Sequence, residues 1–268
     1  MSKDTPERAH ALANGGDLEG AAQTLVRHLQ AAPGDAAAHF QLAHLLVALG
    51  DKPAALQRLQ TTLALEPDNT MLLSDLGTAL EELGDEGQAE QAYRRAVRGT
   101  PPFPPASYNL ALILCRRGQW REAARHLQTA LEQAPNFHAA RHQLGLALNA
   151  LGDEAGARAC FDALLARDGQ DIEARRAIAE LDFKRCRFAE AAGELERCLA
   201  LAPDDARTIL ALGACLQELG RVDEALGHYR HLLARDRTRY YEVVKKLTGA
   251  STGRFWLKSA ELRRVLLG

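Results

Sequence analysis

Apolar residues recur along this chain with a helical period, and the whole pattern recurs at a longer one. Between residues 104 and 137, Leu110, Ala111 and Leu114 line one face of a helix that Gly118 ends. Ala123, Leu127, Ala130 and Leu131 line a second helix that Pro135 stops. Sliding this unit by 34 residues gives copies starting at Ser2, Ala36, Thr70, Pro104, His138, Ile172 and Ala206, without insertion or deletion through Arg239. Neither helix of a unit can bury its stripe alone, so the units must stack on one another. Where the two helices of a unit cross, every copy has alanine: Ala21, Ala55, Ala89, Ala123, Ala157, Ala191 and Ala225. A larger side chain would push the helices apart, because interaxial distance follows the residues at the contact.

Three more places repeat in phase. An apolar residue of the first helix is followed by a small one in Leu42-Ala43, Leu76-Gly77, Leu110-Ala111, Leu144-Gly145, Ile178-Ala179 and Leu212-Gly213. The turn glycine is Gly16, Gly50, Gly84, Gly118, Gly152 and Gly220, with Cys186 in its place in the sixth unit. The helix-stopping proline is Pro33, Pro67, Pro101, Pro135 and Pro203, replaced by Gly169 and Arg237, and these departures predict softer joints. Arg8 stands where later units are apolar, as suits a terminal repeat meeting water. Residues 99–107 (GTPPFPPAS) keep the phase and read as a stiff turn between units, their overlapping P-x-x-P matches being prolines at a joint and a helix start. After Arg239 the phase is lost. Residues 240–247 predict a further helix, 248–253 a loop, and 259–267 a short helix with Ser259 as N-cap. Tyr240, Tyr241, Phe255 and Trp256 gather there, expected to cap the array by packing on the last repeat, with a partner-facing role as the alternative.

This spacing and pattern resemble the tetratricopeptide repeat family across residues 2–239, in units 2–35, 36–69, 70–103, 104–137, 138–171, 172–205 and 206–239, with a cap and tail at 240–268. The resemblance implies an all-α fold: a right-handed α-solenoid, or superhelix, of seven tandem helix-turn-helix repeats plus C-terminal capping helices. It also implies that first helices line the concave face, with inward side chains at the second, fifth, sixth, ninth, twelfth and thirteenth places of each unit. On that map the sixth place reads Gln41, Asp75, Asn109 and Gln143, a ladder of side chains able to bond a peptide backbone. It resembles the asparagine ladder in the repeat domain of O-linked N-acetylglucosamine transferases, although only Asn109 keeps the asparagine. The implied peptide-binding groove comprises Phe40, Gln41, His44, Asp75, Tyr108, Asn109, Arg116, His142, Gln143 and Arg176, with Tyr108 and Phe40 as aromatic anchors. A merely wet face is the competing explanation for the ladder, and packing against a neighbouring helix the competing one for Phe40. Asp75, Glu81 and Glu82 make the third unit acidic, while later units mix signs. No three consecutive units supply the Lys and Asn set of a carboxylate clamp, which disfavours a chaperone-tail receptor.

Composition narrows the partners. Lys plus Arg (33) nearly balances Asp plus Glu (35), so no global field attracts nucleic acid or an anionic membrane. No window reaches the ~18 apolar residues of a membrane span, and the N-terminus lacks a signal-peptide core, so the expected location is cytoplasmic. Five cysteines, odd in number and without a C-x-x-C pair, argue for buried thiols rather than disulfides or zinc. Enzyme motifs fail: Gly249 to Gly253 is one residue too short for a phosphate loop, H-E-x-x-H and G-x-S-x-G are absent, and His228 and His231 lack further ligands. The expectation is a non-catalytic protein-interaction scaffold or adaptor with no cofactor and no metal. Two alternatives stay open: a substrate-selecting repeat subunit of a transferase supplied in trans, and a scaffold that self-assembles as a homo-oligomer.

Overall fold

The computed structural model describes residues 5–249 and 259–267. All regular structure among them is helical, and the first fourteen helices follow one another as seven consecutive pairs. The first four are α1 (Pro6–Asn14) with α2 (Leu18–Ala31), α3 (Ala36–Ala48) with α4 (Lys52–Leu65), α5 (Thr70–Glu82) with α6 (Glu86–Arg98), and α7 (Pro104–Arg116) with α8 (Trp120–Gln133). The others are α9 (His138–Ala150) with α10 (Glu154–Arg167), α11 (Ile172–Lys184) with α12 (Phe188–Leu201), and α13 (Ala206–Glu218) with α14 (Val222–Arg235). From α3 onward every first helix begins on the residue that the 34-residue spacing marks. The chain divides into two compact units, Met1–Gln143 and Leu144–Gly268.

Short polar residues set the helix starts. Thr5, Asp17, Asp35, Asp51, Asp85, Asp153, Asp171 and Asp205 each accept a hydrogen bond from the backbone N–H three residues on, satisfying a donor the helix leaves free. The turn glycines adopt φ between 71° and 87°, and Cys186 adopts φ 55° in the same turn. A β-carbon in that region costs about 1–2 kcal/mol, so Cys186→Gly should stabilise the chain by roughly 1 kcal/mol. The check is a higher urea midpoint with an unchanged denaturant slope. Cys186 is also exposed, so the expectation of buried thiols holds for Cys160, Cys198 and Cys215, is met only halfway by the half-buried Cys115, and fails at the turn. Burial pushes the Cys198 thiol up to about 11 and that of Cys215 up to about 12.

All seven crossing alanines are completely buried. The small place beside them varies with its partner on the second helix. A β-carbon on Gly77 would lie 2.5 Å from the Tyr93 ring, one on Gly145 would lie 2.6 Å from Phe161, and one on Gly213 would lie 2.4 Å from Tyr229. At the equivalent places of the other four units, alanine accompanies leucine: Ala9 with Leu25, Ala43 with Leu59, Ala111 with Leu127, and Ala179 with Leu195, all buried. Ring volume on one helix is thus matched by a missing methyl on the other, as close packing at a helix crossing requires.

One core place breaks the pattern. Leu12, Leu46, Leu80, Leu114, Leu148 and Leu216 occupy the eleventh place of their units, but the sixth unit has Asp182, which is 2% exposed. Its Oδ1 accepts hydrogen bonds from Arg158 Nη1 at 2.7 Å and Arg187 Nη2 at 2.5 Å. A buried carboxylate needs such partners.

Beyond the pairs, a 3-10 turn (Arg237–Arg239) leads into α15 (Tyr240–Gly249), which runs two residues further than expected and takes Thr248 and Gly249 out of the predicted loop. Val243 and Leu247 of α15 are fully buried in a cluster with Leu212, Leu216, Tyr229 and Leu266. Residues 259–267 form α16 (Ser259–Leu267) as expected, with Ser259 as the first helical residue rather than the cap. Arg230 Nε of α14 donates to the Val265 carbonyl at 2.8 Å. The predicted aromatic cap is only partly realised. Tyr240 packs against the cluster, whereas Tyr241 is 81% exposed. Tyr240 lies on the stripe of Val243 and Leu247 by helical spacing, and the next residue turns away from it. Phe255 and Trp256 lie outside the described residues.

Candidate functional site

The residues expected to line a groove fall on first helices, where spacings of three and four put them on one face. In the first compact unit α3 carries Phe40, Gln41 and His44, α5 carries Asp75, and α7 carries Tyr108, Asn109 and Arg116. The Phe40 and His44 rings meet edge-on with centroids 4.4 Å apart. His44 Nε2 reaches Asp75 Oδ2 at 3.6 Å, bridging α3 and α5. The bond to Asp75 raises the His44 pKa against the opposing effect of burial. His44 and Asp75 stand over a pocket of about 110 Å³ with Val47, Leu59, Thr78 and Glu82 in its wall. Glu82 also pairs with Lys52 of α4 at 3.3 Å. Gln41 is exposed, one helical turn before His44.

The next part of the face is occupied by its own polar network. The hydroxyl of Tyr93, a fully buried residue of α6, donates to Glu81 Oε2 at 2.7 Å and lies 3.1 Å from Thr78 Oγ1, and the Asn109 side chain acts to lower its pKa. Burial keeps this hydroxyl protonated well above the usual tyrosine range. Arg116 donates to Glu81 at 2.5 Å and to Glu86 at 3.3 Å. Arg117 joins Glu86 at 2.8 Å and also Glu90, and Arg94 joins Glu90 at 2.7 Å and Glu122 at 2.8 Å. Charges therefore alternate from Glu81 across to Glu122. Burial opposes ionisation of Glu90, but Arg94 and Arg117 hold its carboxyl below the ordinary range. The Arg94 bond does the same for Glu122.

Tyr108 is half-buried and packs on Phe137, with ring centroids 4.9 Å apart and planes tilted by 46°. His142 and Gln143 are half-buried on α9. Arg176, in the second compact unit, is 14% exposed and donates to Asp205 Oδ2 at 2.8 Å and to Glu173. Since Asp205 caps α13, Arg176 ties α11 to the next helix pair.

The structure thus gathers His44 and Asp75 around one pocket with Phe40 against the His44 ring, links Arg116 to Tyr93 through Glu81, and sets Tyr108 against Phe137. Tyr93, Lys52 and Phe137 were missed in the sequence reading. Tyr93 sits on a second helix, where the inward map does not look, and Phe137 occupies the last place of its unit, between helices.

Tetratricopeptide repeat models match the sequence, one over residues 40–104 and another over 80–136, 114–181 and 184–247. No curated protein matches it. Among solved structures, the fold is similar to MamA, with TM-score 0.56 and 21% identity over 63% of this chain and 97% of that one. It is also similar to YrrB, a tetratricopeptide repeat protein with an unusual peptide-binding site, with TM-score 0.62 and 21% identity over 71% of this chain and 98% of that one. The C-terminal part of a repeat-containing protein from Cytophaga hutchinsonii gives TM-score 0.72 and 14% identity over 91% of this chain and 99% of that one. At these identities the likenesses speak for the fold. With helix pairs recurring in one phase and repeat models matching most of the length, the chain belongs to the tetratricopeptide repeat family.

Proposed function

We propose that this chain is a non-catalytic scaffold that holds an extended peptide or a helix of a protein partner against its first helices, with the pocket between α3 and α5 receiving a partner side chain. The observation that carries this reading is convergence. His44, Val47, Asp75, Thr78 and Glu82 all stand at inward places of two successive units and surround one pocket. An apolar floor with a few polar groups at its rim suits an inserted side chain whose backbone is held alongside. Gln41, exposed one helical turn before His44, has both donor and acceptor for that backbone. The structurally similar YrrB carries a peptide-binding site, which is consistent with this use of the fold.

The test uses a peptide selected by display on the intact chain. Changing Gln41 and His44 together to Ala should weaken its binding roughly tenfold in calorimetric titration, while the thermal midpoint moves by no more than about 2 °C. Unchanged affinity would remove this reading.

A further inference from the structure

We infer that the second compact unit carries its own docking site, at the end of its row of first helices, for an acidic partner segment bearing a bulky apolar side chain. The inference rests on the reading of first-helix faces as the binding side, and gives that side a partner chemistry. A pocket of about 760 Å³ lies between α11, α13 and α15, compared with about 110 Å³ for the pocket under His44 and Asp75. Its apolar wall includes Phe183, Phe188, Leu210 and Ala214, and the two phenylalanine rings meet edge-to-face with centroids 5.1 Å apart. Such a well suits a ring or a branched aliphatic side chain.

The charges around the well set the sign of the partner. Lys184 is paired with Glu180 at 2.8 Å, and Glu242 is bonded by Arg239 at 3.0 Å. Glu218 is half-buried in the wall. Lys245 and Lys246 are exposed and have no ion pair among the described residues. The positive charge still available at the rim therefore comes from α15. Tyr241, 81% exposed, precedes Lys245 by one helical turn on the same face. An exposed tyrosine one helical turn from two unpaired ammonium groups at the rim of an apolar well offers an aromatic contact together with complementarity to carboxylates. Since the whole chain has a formal net charge of −2, this preference is local. The carboxylates are those of Asp and Glu side chains within the segment.

The probe is a short fluorescein-labelled peptide with both ends blocked and a repeating Asp-Glu-Phe sequence, titrated by fluorescence anisotropy into the intact chain. Binding should weaken with added salt. It should fall roughly tenfold or more in the Lys245→Glu, Lys246→Glu variant, in Asn-Gln-Phe peptides and in Asp-Glu-Ala peptides, and several-fold in Tyr241→Ala. Equal binding of Asn-Gln-Phe or Lys-rich peptides, or unchanged binding by the lysine variant, would overturn the proposal. Binding only by a peptide with a free C-terminal carboxylate would overturn it as well. Binding seen only after Phe255→Ala and Trp256→Ala would give the pocket to the chain's own 250–258 segment, with the same consequence. If the display-selected peptide still binds through Gln41 and His44 while the acidic probe does not bind, only this inference falls. Loss of the Gln41 and His44 dependence would sink the broader reading instead.

Discussion

Asp182→Ala is expected to destabilise the chain by about 2–3 kcal/mol, and Asp182→Leu to be neutral or stabilising. Removing the carboxylate leaves Arg158 and Arg187 without their shared acceptor and opens a void at a place 2% exposed. Arg187 Nε is already buried without a partner, so the site has little polar satisfaction to spare. The penalty stays at the lower end for a broken ion pair because both arginine side chains are 41% exposed and can turn to water. Leucine fills the same volume as in the six other units and removes the cost of desolvating a carboxylate. Differential scanning calorimetry should show a midpoint lower by roughly 5–10 °C for the alanine variant and no loss for leucine. If leucine costs as much as alanine, the carboxylate is a net stabiliser and the packing argument at this site is wrong.

Gly145→Ala should cost about 2 kcal/mol, although glycine to alanine inside a helix ordinarily gains up to about 1 kcal/mol. The new methyl would stand 2.6 Å from Cζ and 2.7 Å from Cε1 of Phe161, a ring that is fully buried and has nowhere to move. Combining it with Phe161→Leu recreates the alanine and leucine pair of Ala111 and Leu127. The double variant should recover more than half of the loss, and the non-additivity is the coupling energy between the two helices at their crossing. Additive losses in chemical denaturation would contradict the volume matching inferred here. Phe161 suits the cycle better than Tyr93 or Tyr229, whose hydroxyls hold Glu81 and Gln217 and would add lost hydrogen bonds to the ledger.

The fold was legible because its determinants are periodic. Crossing alanines, turn glycines and Asp caps recur every 34 residues, and each enforces one local geometry. Asp182 was legible in principle as a break in a column of leucines, yet attention to small residues and glycines passed over it. Arg158, its partner, lies 24 positions upstream on another helix, so the compensation appears only in three dimensions. The same limit governs the site. The inward places came from the family resemblance, and they do gather Phe40, His44 and Asp75. The sequence does not say which polar groups are spent on one another. Glu81 accepts from a buried tyrosine on a different helix, Arg116 answers Glu81 across 35 positions, and Arg176 ties down a helix cap. At the C-terminal end, clustering of aromatics suggested a cap. One step of helical rotation instead buries part of Tyr240 and exposes Tyr241.

The most direct test of the interaction-scaffold account is a map of backbone amide chemical-shift changes when the display-selected peptide is titrated into the isotope-labelled chain. The largest changes should fall on α3 and α5, around Gln41, His44, Asp75 and Thr78, with smaller ones at Leu59 in the pocket wall and the rest of α4 and α6 little affected. Changes concentrated on the second helices, with those first-helix residues unmoved, would contradict that account.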